Sequence, residues 1–459
     1  MYDLVVIGGG PGGYVAAIRG AQAGLKTALI EKDSLGGTCL NRGCIPTKCL
    51  YYDVGLYNKS KSSQLLIGRE NLRLDLESLV NRKRQVVNGL VNGVKGLLKK
   101  RKVDVFEGTG RLLKPGKIAI DGISGDVRTV EASSVILATG SKPAVPSSIQ
   151  VDGEFVQTTD QALDSMHRPK SVVVIGGGVI GMELADIYRK MDAHVTVVEM
   201  LPNILGTEDH DICSIMLHEL QKAKMALRLE SSIQEINKDS GEVLIADKNG
   251  KLEKINCDLV LVATGRTPVT TGVQASELGL EMEAPFVKVN EHQQTNLTGV
   301  YAIGDVTGGL MLAHKASAEA EVAVNHILGQ KTTLDLCKIP RCVWGAAEIG
   351  AVGLSEKEAK EAGYRIKVGS FPLSASGAAQ TMNNSSGMVK IVGEAETGEI
   401  LGVHIIGPHA TDLIAEAVTT MKMEGAVEDL YQAIKPHPTV SEAVMEAALD
   451  WNGLAIHKV

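Results

Sequence analysis

The chain opens on a short apolar run, DLVVI, that closes against the glycines of GGGPGG and gives way to an Ala-rich stretch with helical spacing. A second apolar run then ends on an acid. Strand, glycine turn, helix, strand is the order that builds parallel sheets, and the chain is predicted to be α/β. The same order returns: residues 3 to 32 (DLVVIGGGPGGYVAAIRGAQAGLKTALIEK) and 171 to 200 (SVVVIGGGVIGMELADIYRKMDAHVTVVEM) are two copies of one pattern. In both, 23 residues separate the first glycine from the closing acid, Gly8 from Glu31 and Gly176 from Glu199. Two dinucleotide-binding domains of Rossmann type are expected.

Between the copies, about 50 to 102 reads as a helical stretch ending in the basic run Lys99, Lys100, Arg101 and Lys102, which suits the negative end of a helix dipole. Residues 103 to 136 read as short strands with Gly and Pro turns. LATGSKP (137 to 143) leads into a Pro/Ser linker, and VATGRTP (262 to 268) echoes it after the second copy. From about 335 the pattern becomes strands followed by helices, with Ser355 and Glu358 spaced as a capping box. The expected segments are 1–143, 144–268, 269–334 and 335–459: a first dinucleotide domain, a second, a central piece completing the first, and an α+β domain.

Composition narrows the chemistry. Fifty glycines in 459 residues exceed the ~7% average, and the surplus gathers in the turns above. Aromatics make up 3% and the net charge is -7, both wrong for a nucleic-acid surface. No run approaches the ~18 apolar residues of a membrane span, and the start lacks a basic region before its apolar run. Seven cysteines, an odd number, suit a reducing, cytoplasmic setting. Cys213, Cys257, Cys337 and Cys342 are scattered without metal-site spacing, so no metal is expected.

Gly8, Gly10 and Gly13, and again Gly176, Gly178 and Gly181, form G-x-G-x-x-G turns between strand and helix, where glycine lets the backbone approach a pyrophosphate at a helix N-terminus. Glu31 and Glu199 stand where a carboxylate binds ribose hydroxyls. Glu199 would repel a 2′-phosphate, and no Arg follows among residues 200 to 205, so NAD is favoured over NADP. Two sites suggest a bound flavin dinucleotide and a transient nicotinamide one.

GGTCLNRGCIPTK (36 to 48) follows the first acid. Cys39 and Cys44 would lie roughly 7.5 Å apart along an ideal helix, beyond the ~7 Å reach of a disulfide. A bridge therefore needs a distorted helix start, which Gly43 and Pro46 supply; two reduced core cysteines are the other reading. Near a helix N-terminus and Lys48 a thiolate is stabilised, a property of redox pairs. His437, beside Pro438 and within reach of Glu442, pairs a base with a group that orients it.

Taken together, GGTCLNRGCIPTK, both glycine turns, LATGSKP, VATGRTP, YAIGDV (301 to 306), MLAHKA (311 to 316) and HPTVSE (437 to 442) resemble the flavin-dependent pyridine nucleotide-disulfide oxidoreductase family over the whole chain. The resemblance implies FAD as a bound cofactor and NAD as co-substrate. It further implies a homodimer joined through the last domain. It makes Cys39 the interchange thiol and Cys44 the thiol facing the flavin, with Lys48 near the flavin and paired to Glu183. Thr38, Gly110, Thr139, Gly140, Ser141, Asp305, Met311, Leu312, Ala313 and His314 would line the flavin, and Ile233 and Gly265 the nicotinamide nucleotide. His437 would serve the disulfide of the partner protomer. Within the family the residues are most similar to members that oxidise dihydrolipoyl groups, which implies a lipoyl-bearing carrier from a 2-oxo acid dehydrogenase, acetoin or glycine cleavage system. Arg42, Thr47 and Lys435 depart from the commoner Val, Ser and His of such members, and Cys49 is expected to pack in a core.

Overall fold

The computed structural model describes residues 1–164, 167–273 and 275–458. Its first sheet is built on Tyr2–Ile7, whose last four residues are buried on both faces. That strand lies parallel to Thr27–Glu31 on one side and to the second half of Val127–Leu137 on the other. The sheet is extended by the start of Asp104–Lys114 at one edge and by Val300–Ala302 at the other, also parallel. The last of these strands returns after the whole second unit, so the first sheet is interrupted in sequence and closed in space. Asp104–Lys114 and Val127–Leu137 are 11 residues each, longer than the short strands expected. They leave the parallel sheet and form an antiparallel meander with Lys117–Gly122.

The second unit repeats the plan. Parallel strands run in the order Ala226–Arg228, His194–Val198, Ser171–Ile175, Leu259–Val262, Val156–Thr158, beside a meander of Ser231–Asn237, Glu242–Asp247 and Leu252–Asn256. The two chain crossings between the units pair with each other, Ser141–Pro143 antiparallel to Arg266–Pro268. LATGSKP and VATGRTP thus meet as one two-stranded ribbon. The last unit is a five-stranded antiparallel sheet centred on Ile400–Ile406, buried throughout, and covered by helices Ala410–Lys422 and Glu442–Trp451. The Ser355–Glu358 capping box forms as its spacing predicts.

The stretch expected to be helical from about 50 is two helices, Cys44–Ser62 and Leu76–Lys100. The break holds Gly68 at φ +81, and the second helix starts afresh where the Asp75 carboxylate accepts from the Ser78 amide. Its basic end is exposed. Cys49 is only half-buried, against expectation, because its side of the helix looks toward Arg82 and Asp53 rather than the core; the fully buried cysteines are Cys213 and Cys257.

The largest apolar core belongs to no single unit. It joins Leu50 and Val54 of the cysteine-bearing helix to Val174, Met182 and Ile187 of the second unit and to Val343, Ile349 and Ile406 of the last. Burying roughly 1.5–3 kcal/mol per large apolar side chain, this shared core fixes the cysteine helix against both neighbours. No helix among the described residues is long and apolar enough to cross a membrane.

Candidate active site

Helix Gly37–Arg42 ends at Gly43, whose backbone (φ -143, ψ -113) is non-helical, and a new helix starts at Cys44. A Cβ on residue 43 would lie 3.0 Å from the Thr38 carbonyl oxygen, so the break leaves little room for a side chain. It turns Cys39 back toward Cys44, and the two sulfurs face each other. The pair is unequal. As thiols, Cys39 is pushed up by its neighbour and by burial. Cys44 is brought down to about 7 by Cys39, with the Lys48 ammonium adding to the fall against burial and Glu183.

Lys48, one turn on, donates to both carboxylate oxygens of Glu183 at 2.9 and 2.8 Å. Glu183 comes from helix Val179–Lys190 of the second unit and is almost wholly buried. Burial pushes its carboxyl above the usual range against the pull of Lys48. The Trp344 amide, from the last unit, donates to the same carboxylate at 3.1 Å, and the Trp344 ring lies 4.2 Å from the Lys48 ammonium.

The two glycine turns share one geometry. Gly8 and Gly176 have φ +107 and +109. A Cβ on Gly13 would fall 1.8 Å from the Gly8 carbonyl oxygen, and one on Gly181 2.1 Å from that of Gly176, so each helix seats directly on its turn. Gly10 and Gly178 cap the two helices with no side chain bonded to the helix amides. Glu31 accepts from the Gly9 and Asp33 amides at 2.6 and 2.8 Å, and Glu199 accepts from the Gly177 and Leu201 amides at the same distances. Each acid is thereby held at the mouth of its own turn.

Around the crossing ribbon, Ser141 Oγ donates to Asp305 and accepts from Arg266 Nε at 2.7 Å, while Arg266 reaches Thr38 Oγ1 at 3.5 Å. Thr139 Oγ1 donates to the Val269 carbonyl at 2.6 Å, and Gly140 has φ +70. Asp305 sits in the turn Gly304–Thr307, which is anchored by the Gly304 amide on Glu319 at 2.7 Å. Glu319 pairs with the buried Lys315 at 2.6 Å. Met311 and Leu312 lead into helix Ala313–Ile327, and His314 Nε2 meets the Pro340 carbonyl at 2.8 Å. Gly110 lies against Ile7. Ile233 borders a bulge in the second meander, and Gly265 has φ +109.

Arg266, Lys315, Glu319 and Trp344 are the residues that sequence reading missed. Arg266 stood inside the VATGRTP string, beside Gly265, and Lys315 inside MLAHKA, four residues from Glu319 on one helix. Trp344 had no local signal.

His437 Nδ1 lies 2.9 Å from Glu442 Oε1. Burial raises Glu442, but the Thr439 amide at 3.0 Å and His437 together hold its carboxyl below the usual range. The imidazole is 80% exposed, and none of its hydrogen bonds reaches the cysteines of its own chain. Of the departures, Arg42 pairs with Asp33, and Lys435 is buried on Glu416.

Residues 2–320 match the family model for pyridine nucleotide-disulphide oxidoreductases, and 339–448 match the dimerisation domain of the same proteins. The chain belongs to the pyridine nucleotide-disulphide oxidoreductase family. Among its relatives, a dihydrolipoyl dehydrogenase of Bacillus subtilis is 41% identical over 99% of both chains. One of Thermus scotoductus is 42% identical over 99% of this chain and 98% of its own. A leghemoglobin reductase of Glycine max is 39% identical over 97% of this chain and 87% of its own. Among solved structures, LpdA of Mycobacterium tuberculosis superposes with a TM-score of 0.90 at 26% identity, covering 97% of this chain and 98% of that one. The HOCl-induced flavoprotein disulfide reductase RclA of Escherichia coli gives 0.87 at 26% identity, covering 97% and 98%.

Members of the pyridine nucleotide-disulphide oxidoreductase family work with FAD and NAD(H), and the residues present fit both. Each glycine turn is a cradle that a Cβ would fill, each ends at uncapped helix amides suited to a pyrophosphate, and each has its acid in place. The first turn, Asp305 and the cysteine helix all belong to the first unit, so FAD fits there and NAD(H) on the second turn.

Proposed function

We propose that this chain oxidises protein-bound dihydrolipoyl groups to lipoyl while reducing NAD+ to NADH, a dihydrolipoyl dehydrogenase activity, and that it does so as a homodimer. The observation that carries the reading is the cysteine pair itself: the break at Gly43 turns Cys39 back toward Cys44, one turn from a Lys48 ammonium held on both oxygens of Glu183. Such a pair can lose two electrons and two protons and regain them, which is the exchange a dithiol substrate needs. The relatives named dihydrolipoyl dehydrogenase, aligned end to end at 41% and 42%, support this substrate class.

The steps follow from the residues. With Cys39 and Cys44 joined as a disulfide, a substrate thiol near its ordinary pKa of ~8.5 needs a base. His437, oriented by Glu442 and exposed on the last unit, supplies that base to the cysteine pair of its partner protomer. The substrate thiolate attacks Cys39, the Cys39–Cys44 bond breaks, and Cys44 leaves as the thiolate that Lys48 stabilises. The second substrate thiol gives up its proton and attacks the first substrate sulfur, so Cys39 departs and the oxidised lipoyl ring is released. Bound FAD supplies two-electron transfer between the dithiol and NAD+. Lys48 and Glu183 hold a fixed charge pair between the cysteine helix and the second glycine turn, and Glu199 favours NAD over a 2′-phosphorylated nucleotide. The scattered thiols fit a reducing cytoplasm, and the lipoyl group would arrive on a carrier protein.

The purified protein, loaded with FAD, should turn over dihydrolipoamide with NAD+ far faster than it reduces glutathione disulfide with NADPH. A preference for the second pair would overturn the substrate. Flavin bleaching by NADH with no long-wavelength charge-transfer absorbance would indicate an inert cysteine pair and a docking role instead.

A further inference from the structure

The Lys48–Glu183 pair has a third member. Lys48 comes from the first unit, Glu183 from the second and Trp344 from strand Arg341–Trp344 of the last. Trp344 engages both charges at once: its amide donates to Glu183 Oε1 at 3.1 Å, and its ring lies 4.2 Å from Lys48 Nζ. The neighbouring Val343 is wholly buried in the core shared by the cysteine helix, the second unit and the last unit. Val343 anchors the strand that carries Trp344, and the next side chain along it points to the other face.

Tryptophan offers a cation the strongest aromatic face, and the Trp344 ring stands 4.2 Å from the Lys48 ammonium. A lysine flanked by a bidentate carboxylate and an aromatic face loses most of its freedom to swing toward water. It then keeps a fixed charge one turn from Cys44.

We propose that Trp344 is a positioning residue that holds the Lys48 ammonium beside Cys44, so that the last domain takes part in tuning the thiol through Lys48. This rests on the redox role given above to the cysteine pair. Without the ring, Lys48 is better hydrated, its charge at Cys44 is screened, and the thiolate is less favoured. The Cys44 titration registers only the part of the Lys48 charge that is screened when the ring is removed; a shift of about half a pH unit would be about threefold in thiolate fraction at fixed pH.

The test uses the FAD-loaded full chain as wild type, Trp344→Phe and Trp344→Leu. Flavin content and dimer state are checked first. Each protein is reduced by two electrons, and the charge-transfer absorbance and the rate of thiol alkylation by iodoacetamide are followed against pH. The expected result is an alkaline shift of both profiles in Trp344→Leu, with Trp344→Phe largely restoring them. Superimposable profiles for wild type and Trp344→Leu would overturn the proposal, as would an equal shift in both variants, which would mark a packing role. If Trp344→Leu fails to assemble, the Phe variant decides alone, since a small alkaline shift is expected there and none refutes. Absence of charge-transfer absorbance in the wild type would instead refute the redox reading of the cysteines.

Discussion

Alanine at position 181 asks the second glycine turn to accept one methyl group. That methyl would sit 2.1 Å from the carbonyl oxygen of Gly176, where ordinary contact begins at 3.4 Å. The helix must lift from its turn by about 1.3 Å, or the turn must flatten. Nothing nearby is a flexible side chain that could move instead: the next contacts are the Gly176 carbonyl carbon at 3.2 Å and Ala263 Cβ at 3.3 Å. Overpacking of this kind costs about 1–3 kcal/mol. Because the displaced amides are those proposed to meet the pyrophosphate, NAD affinity should bear most of the loss, roughly 10- to 100-fold at ~1.4 kcal/mol per decade. The first turn lies in another domain and should not feel it. Gly13→Ala is the mirror experiment, with its methyl 1.8 Å from the Gly8 carbonyl oxygen, and should release flavin while leaving the second site intact. Flavin absorbance of the purified proteins and NADH titration by fluorescence read the two sites separately. Loss of flavin from Gly181→Ala, or unchanged NAD binding in it, would refute the assignment of the two turns.

Further outcomes follow from the same geometry. His437→Gln removes the base but keeps a polar side chain, and should slow reaction with dihydrolipoamide about 10²- to 10⁴-fold while NADH still reduces the flavin at the wild-type rate in stopped flow. The Cys44 thiol, lowered to about 7, should give charge-transfer absorbance above that pH in the two-electron-reduced protein and lose it as pH falls through 7; an unshifted midpoint near ~8.5 would show that Lys48 and Cys39 do not tune it. Glu183→Ala leaves Lys48 without its counter-charge in a mostly buried site and should cost about 3 kcal/mol, read as a lower urea midpoint with unchanged slope, whereas Glu183→Gln, still able to accept from the Trp344 amide, should cost less. Glu199→Ala should narrow the preference for NAD over NADP, measured as the ratio of their kcat/KM values.

Much of this protein was legible without coordinates, and the legible parts share a cause. A helix seated directly on its glycine turn excludes every Cβ at Gly13 and Gly181, so the requirement is local and steric and leaves glycine at fixed spacing. The break at Gly43 and the capping box at Ser355 are likewise satisfied within a few residues of chain. The stretch expected to be helical from about 50 is divided instead, because the first helix ends at Ser62 without a strong stop signal, Gly68 turns the chain and Asp75 caps a second helix.

Sequence alone determined the two glycine turns with their acids, the break between the two cysteines and the α/β class, because each depends on contacts between near neighbours. Tertiary structure decided which distant side chains complete them. Glu319 holding the Gly304 amide beneath the Asp305 turn, Arg266 bridging Ser141 and Thr38, and Trp344 closing on Lys48 and Glu183 are joined between elements far apart in sequence. A lysine, an arginine or a tryptophan looks alike in sequence whether it faces water or a buried carboxylate. Only the folding of three units onto one shared core sets its partner, and with it the charge that the Cys44 thiol experiences.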